Sequence, residues 1–337
     1  MSIRPHILNI DSELVIESIT RTVRNQLAAL LHRRGAIVAV SGGIDSAVCA
    51  ALCARAVGRD NVLALLLPEK ESSGDSIILS RQVVDALKVP FLIEDITPTL
   101  ESAGCYQRRL EAIRQIFPEY DDGWKCKITI PSYEHRDRLN IFKLTVQTPS
   151  GDLRTARLPF APYLQLVAST NIKQRIRKLL EYYHADRLNY AVCGTPNRLE
   201  YDQGFFVKNG DGSADFKPIA HLYKTQVYQL GRALGIPDSV CSRPPTTDTY
   251  PLEQTQEEFY FALPYDKMDL CLYGYNHHTS PAAVAESIGL SCERVEQIYS
   301  DIESKRRATR YLHLPPLLVE SVNEISSPIS TTISTGD

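Results

Sequence analysis

Residues 41–46, Ser-Gly-Gly-Ile-Asp-Ser, stand directly after one short apolar run and directly before another. A buried strand feeding straight into a helix leaves the first N–H groups of that helix without partners. Together with the positive end of the helix dipole, they attract an anion. Gly42 and Gly43 let the backbone turn sharply and approach the anion with no Cβ in the way. Ser41 and Ser46 add hydroxyl donors. Asp45 needs a separate explanation, because a carboxylate beside a phosphate repels it. Its place makes sense when it binds Mg²⁺, which bridges both negative groups. A glycine turn with Ser or Asp capping a helix is common for purely structural reasons. The full context of strand, Ser-Gly-Gly-x-Asp-Ser and helix is more specific and favours a phosphate site. The chain holds no G-x-x-x-x-G-K-[ST] and no G-x-G-x-x-G, so neither the Walker nor the dinucleotide fingerprint applies.

A second polar constellation lies in 194–227, GTPNRLEYDQGFFVKNGDGSADFKPIAHLYKTQV. Glu200 follows a short apolar strand and is placed to share a cation with Asp45. Lys208 and Lys224 bring positive charge toward phosphates, and the tight polar turn 209–215 delivers Asp211 and Asp215. A solvated loop of the same composition is the competing reading. The 8 cysteines form no C-x-x-C pair and have no histidine cluster beside them. Cys49 and Cys53 are four apart on a predicted helix, where small apolar residues on a buried face explain them better than a metal pair. Cys105 and Cys126 carry no local signature of a nucleophile and are expected to be structural.

These residues need elements to hold them. Apolar residues recur at helical spacing through 11–32, and the run 36–40 reads as a buried strand ending at the glycine loop. Helix 47–56, strand 61–67, helix 76–87 and strand 90–94 continue the alternation, which implies a doubly wound parallel sheet with flanking helices. From 97 to about 165 the pattern breaks. Helix-like segments surround 107–116, and the alternating runs 141–147 and 153–158, joined by Pro149-Ser150-Gly151-Asp152, read as a β-hairpin. Alternation resumes with helix 172–183, strand 190–193 and helix 224–234, the last stopped by Gly235 and Pro237. Helices 281–288 and 292–306 follow. The expected organisation is 1–96 as the first half of the α/β domain, 97–165 as an inserted α+β segment, 166–320 as the second half, and 321–337 as a flexible tail.

Composition excludes some classes of function. The net charge of −3 leaves no basic excess for general binding to nucleic acid or a membrane surface. No apolar run approaches the roughly 20 residues of a membrane span, and no signal pattern opens the chain, so a cytoplasmic address is expected.

The heptapeptide 41–47, SGGIDSA, resembles the signature of the PP-loop ATP pyrophosphatases of the adenine nucleotide alpha hydrolase-like fold, which cleave ATP between its α and β phosphates. The block 194–227 resembles the core of the ammonia-dependent NAD synthetase family, as do LPEKESSGDS at 67–76, NIKQRIR at 171–177, PPTTD at 244–248 and SKRR at 304–307. This resemblance implies that ATP meets Ser41, Gly42, Gly43, Ser46, Thr195, Lys224 and Thr246. It sets Asp45 and Glu200 on Mg²⁺, with Asp45 and Lys224 as the catalytic pair. It sets Arg175, Lys208, Asp215 and Lys305 on deamido-NAD, across the interface of a homodimer. The implied reaction is ATP-dependent amidation of deamido-NAD to NAD through an acyl-adenylate. The glutaminase domain of glutamine-using relatives would not fit in the about 40 residues before Ser41, so ammonia, free or from a separate glutaminase, is the expected nitrogen source. Two rivals stay open: a ligase of the same chemistry acting on another carboxylate, and a non-catalytic nucleotide-binding homologue. Retention of Asp45, Glu200, Lys208 and Lys224 together speaks against the second.

Overall fold

The computed structural model describes residues 6–129, 142–244, 250–252, 260–261 and 263–322. Strands β1 (Ala36–Ala39), β2 (Val62–Leu66) and β3 (Phe91–Ile93) alternate with helices α1 (Ser12–Asn25), α2 (Ile44–Val57) and α3 (Gly74–Leu87). Helices α4 (Thr97–Ser102) and α5 (Cys105–Arg114) lead to β4 (Lys125–Thr129), β5 (Lys143–Gln147) and β6 (Leu153–Arg157). The long helix α6 (Phe160–Leu188) returns the chain to β7 (Ala191–Val192). Helices α7 (Arg198–Gln203), α8 (Lys224–Ala233), α9 (Asp238–Cys241), α10 (Tyr265–Asn276), α11 (Pro281–Ile288) and α12 (Cys292–Thr309) complete the described chain.

The main sheet has the order β3-β2-β1-β7, and all its pairings are parallel. Its strands read as unbroken apolar runs because both faces are buried. Ala36, Val38, Val62, Ala64 and Leu66 point into the core under α1, α2, α3 and α8. Ile37, Leu63 and Leu65 point the other way, against α4 and α6. The doubly wound α/β fold expected from the alternation is therefore present. A ligand in such a fold sits beyond the carboxyl ends of the strands where the strand order reverses. Here that point lies between β1, whose successor β2 is on one side, and β7 on the other.

Strands β4, β5 and β6 form a separate antiparallel sheet, in which Gln147 pairs with Leu153 across the turn at Gly151. One face packs Cys126, Ile128, Leu144 and Val146 against Ala112 and Ile113 of α5 and Leu166 of α6. Helix α6 has 29 residues, so it is roughly 43 Å long and joins the small sheet to the main one. The boundary expected at 165/166 falls inside this helix. Its beginning is masked in the sequence by Pro162, but a proline in the first turn lacks only an N–H that has no helical partner there. The tail expected from 321 lies, beyond residue 322, outside the described residues. Among the described residues no helix is long and apolar enough to cross a membrane.

Candidate active site

The loop after β1 is shaped by its own side chains. Gly42 has φ +82, and a Cβ there would come within 2.7 Å of the Ser76 carbonyl at the start of α3, so only glycine fits. Ser46 Oγ accepts from Ser41 N at 3.2 Å, pairs with Ser41 Oγ at 3.3 Å and donates to the Gly43 carbonyl at 3.0 Å. Both hydroxyls expected to meet phosphate thus also hold the loop closed. Gly43 is the N-cap of α2 and supplies no side-chain acceptor, so the first N–H groups of that helix remain open to an anion.

Asp45, in the first turn of α2, forms an ion pair with the Lys224 ammonium. Lys224 is the first residue of α8 and only 2% exposed. Its backbone is held by the buried Asp269, whose carboxylate accepts from Lys224 N at 3.2 Å and Thr225 N at 2.7 Å. Burial pushes the Asp269 carboxyl up to about 7, against the pull of those donors. Burial also works against charge on Lys224, but Asp45 and then Glu200 outweigh it and keep the ammonium charged. Asp45 thus meets the Lys224 ammonium directly, and Glu200 acts on the same ammonium through space.

Asn197 connects these two acids, and the sequence reading missed it. Its amide Nδ2 donates to Asp45 Oδ1 at 3.1 Å. Its Oδ1 accepts from Leu199 N at 2.9 Å and Glu200 N at 3.3 Å, while Glu200 Oε2 accepts from Asn197 N at 3.1 Å. This reciprocal capping box starts α7 and fixes the Glu200 carboxylate. The pattern N-x-x-E at 197–200 is the signal that could have found it.

A cavity of about 750 Å³ opens over the loop, lined by Ser41, Gly43, Asp45, Ser46, Thr195, Glu200 and Lys224. It continues to Ile128 of β4, to Phe142 just before β5, and to Ser304 and Lys305 of α12. Lys305 donates to the Tyr260 carbonyl at 2.7 Å and pairs with Asp301 at 2.9 Å. The other expected acceptor residues do not line this cavity within one chain. Arg175 is exposed and its Nε donates to the Lys208 carbonyl at 3.3 Å. The Lys208 ammonium donates to the Tyr311 carbonyl at 2.8 Å. Asp215 accepts from Val192 N at 2.7 Å and from the Tyr182 hydroxyl at 3.3 Å, which braces β7. Thr246 lies outside the described residues.

The cavity wall carries further charges that sequence spacing did not reveal. The Lys173 ammonium on α6 bonds Glu69 and Glu71 at 2.8 Å each, and Arg109 of α5 pairs with Glu71. Tyr106 donates to Glu69 at 2.6 Å. This buried network ties the loop after β2 to α5 and α6. Lys178 and Glu181 pair at 2.6 Å beside Asp211, and burial raises both carboxyls. Cys105 and Cys126 are buried, which raises their thiols and fits a structural role.

The model of the NAD synthase family matches residues 15–115 and 141–310, leaving 116–140 unmatched between them. The unmatched stretch is narrower than the insert expected at 97–165. The chain is 56% identical over 317 residues to the NH(3)-dependent NAD(+) synthetase of Mesorhizobium japonicum (strain LMG 29417 / CECT 9101 / MAFF 303099), covering 94% of this chain and 99% of that one. It is 55% identical over 318 residues to the enzyme of that name from Rhizobium meliloti (strain 1021), covering 94% and 95%. A solved NH3-dependent NAD synthetase from Campylobacter jejuni subsp. jejuni NCTC 11168 aligns with TM-score 0.60 at 20% identity, over 92% of this chain and 100% of that one. At that identity the structural likeness speaks for the fold alone. The loop geometry, the family match and the close relatives all agree, and the chain belongs to the NAD synthase family.

Proposed function

We propose that this chain joins ammonia to the nicotinate carboxylate of deamido-NAD, using ATP and forming NAD, AMP and pyrophosphate. The observation that carries the reading is the Lys224 ammonium held by Asp45 beside a strand-to-helix anion loop, at the switch point of a parallel sheet. The cavity there is of a size that takes organic ligands, and its far wall carries Lys305.

A carboxylate is a poor electrophile because its oxide does not leave. Attack of that oxygen on the α-phosphorus of ATP breaks the bond to the β-phosphate and releases pyrophosphate. The acyl carbon then carries AMP, a competent leaving group. Ammonia attacks this carbon, AMP departs, and the nitrogen gives up a proton. Lys224 and the open N–H groups of α2 are placed to stabilise charge on the departing pyrophosphate. No protein nucleophile is required, so catalysis is positioning and charge neutralisation.

The acids present suit Mg²⁺. This ion takes one or two carboxylates and completes its shell with phosphate oxygens and water. Asp45 and Glu200 offer two, and among the described residues no group of three or more His, Cys, Asp or Glu forms a self-sufficient cage. These two residues would hold the ion, which supplies positive charge shared with the phosphates. Arg175 is exposed and Lys208 half-buried, and neither lines the cavity of its own chain. Leu179 and Tyr183 lie near them on α6, each 59% exposed. A homodimer that lays deamido-NAD across this face accounts for both features. Ammonia enters free or from a separate glutaminase.

The test incubates purified protein with ATP, Mg²⁺ and deamido-NAD, supplying ammonia or glutamine in parallel. Equal amounts of NAD, AMP and pyrophosphate are expected with ammonia. Pyrophosphate release with another carboxylic acid, and none with deamido-NAD, would refute the assignment.

A further inference from the structure

The cavity is lined by the cations Lys173, Arg177, Lys178, Lys224, Arg243 and Lys305. Most already face an acid. Lys173 is paired with Glu69 and Glu71, Lys178 with Glu181, Lys224 with Asp45, and Lys305 with Asp301. Arg177 acts through space on Glu181 and Asp211. Among the described residues, Arg177 and Arg243 are the two of these cations that make no ion pair, and Arg177 Nε instead donates to the Leu67 carbonyl at 3.3 Å. Among the described residues the Arg243 guanidinium reaches hydroxyls, with NH1 and NH2 each 3.3 Å from Ser76 Oγ and NH2 3.3 Å from Ser73 Oγ.

The place of this cation is informative. Ser76 is the residue whose carbonyl packs on Gly42, so Arg243 stands one residue away from the anion loop, on its α3 side. Lys224 approaches the same loop from the start of α8, through its ion pair with Asp45. Lys224 is already neutralised by Asp45, and Glu200 adds a further negative charge nearby. A polyphosphate entering here brings several more. Three long bonds to neutral hydroxyls hold Arg243 weakly, and its planar fork matches two oxygens of one phosphate. Among the described residues it can turn to an anion without breaking an ion pair. Arg243 also lies three positions before Thr246 in the chain.

We propose that Arg243 binds the pyrophosphate end of ATP and holds the pyrophosphate as it departs, together with Lys224. The inference rests on the ATP reading above and adds to it a residue that stays in contact with the leaving group.

The test measures binding of ATP, AMP and inorganic pyrophosphate to the full chain by titration calorimetry, with Mg²⁺ present, for wild type, Arg243→Gln and Arg243→Lys. Loss of one charge-assisted contact predicts ATP and pyrophosphate binding about tenfold to hundredfold weaker in Arg243→Gln, with AMP unchanged. Arg243→Lys keeps the charge but loses the fork and is expected to fall between. ATP binding as tight as wild type, or an equal loss for AMP, would overturn the proposal. The second outcome would make Arg243 a brace between α3 and α9. Should Arg243→Gln fail to fold, Arg243→Lys carries the same comparison, and unchanged ATP binding in it is a refutation. Wild type binding neither ATP nor pyrophosphate would refute the ATP reading itself.

Discussion

Replacing Asn197 by alanine removes three bonds that start at one buried side chain, 1% exposed. The cap on Leu199 N and Glu200 N is lost, which costs about 1 kcal/mol. The bond to the Asp45 carboxylate is lost as well, worth about 1.5–3 kcal/mol because the acceptor is charged. The global stability of Asn197→Ala should therefore fall by about 2.5–4 kcal/mol in urea unfolding without Mg²⁺. The same side chain sets the position of Asp45 relative to Glu200. Partners behind a metal ligand typically matter about tenfold or more in metal affinity. The Mg²⁺ concentration for half-maximal NAD formation should rise by that factor. Asn197→Ser keeps an oxygen for the cap, but its shorter side chain does not extend to Asp45 as the Asn197 amide does, so it should recover most of the cap's share of the stability and little of the Mg²⁺ affinity. If Asn197→Ala stayed within about 0.5 kcal/mol of wild type with an unchanged Mg²⁺ dependence, the idea that Asn197 spaces the two acids would be wrong.

Other perturbations reach the site by different routes. Lys224→Met should lower kcat for pyrophosphate release by about 100- to 1000-fold, measured by rapid quench, if the ammonium paired with Asp45 takes the proposed place at the leaving group; a kcat within threefold or so of wild type would exclude that role. Gly42→Ala forces a side chain into φ +82 and against the Ser76 carbonyl. It should cost about 1–3 kcal/mol in unfolding and raise KM for ATP more than KM for deamido-NAD. Burial raises the Glu71 pKa, but Arg109 and Lys173 outweigh it and hold the carboxyl at about 2, below its ordinary 4.5. Its stabilisation is present above the ordinary value and is lost as pH falls toward 2, on the order of 3 kcal/mol in all. Urea midpoints measured from pH 5 to pH 2 should therefore drop less steeply in Glu71→Gln than in wild type, and parallel curves would count against the network.

Much of the scaffold was legible because its signals are local. Strands β1 and β2 are apolar on both faces, and helix α2 follows β1 after a glycine turn, so the alternation could be read residue by residue. The start of α6 was hidden by Pro162, since a proline reads as a breaker unless its place in the first turn is known. Asn197 was hidden for a different reason. Its capping box is a local pattern, but its bond to Asp45 spans 152 positions.

What the sequence by itself determined was the strand-loop-helix unit and the open N–H groups above Gly43; for Asp45, Glu200 and Lys224 it gave the residue types and an expected role with Mg²⁺ and ATP. These follow from side-chain periodicity and from the backbone freedom of glycine, which act within a few residues. Only the tertiary structure decided which charges meet. Lys224 reaches Asp45 across 179 positions, and Lys173 reaches Glu69 across 104. It also kept Arg175, Lys208 and Asp215 out of the lining of their own cavity and left Arg243 facing neutral serines beside the loop. Periodicity tells which face of an element a residue occupies, but the partner of that face is set by how helices and strands far apart in sequence pack together.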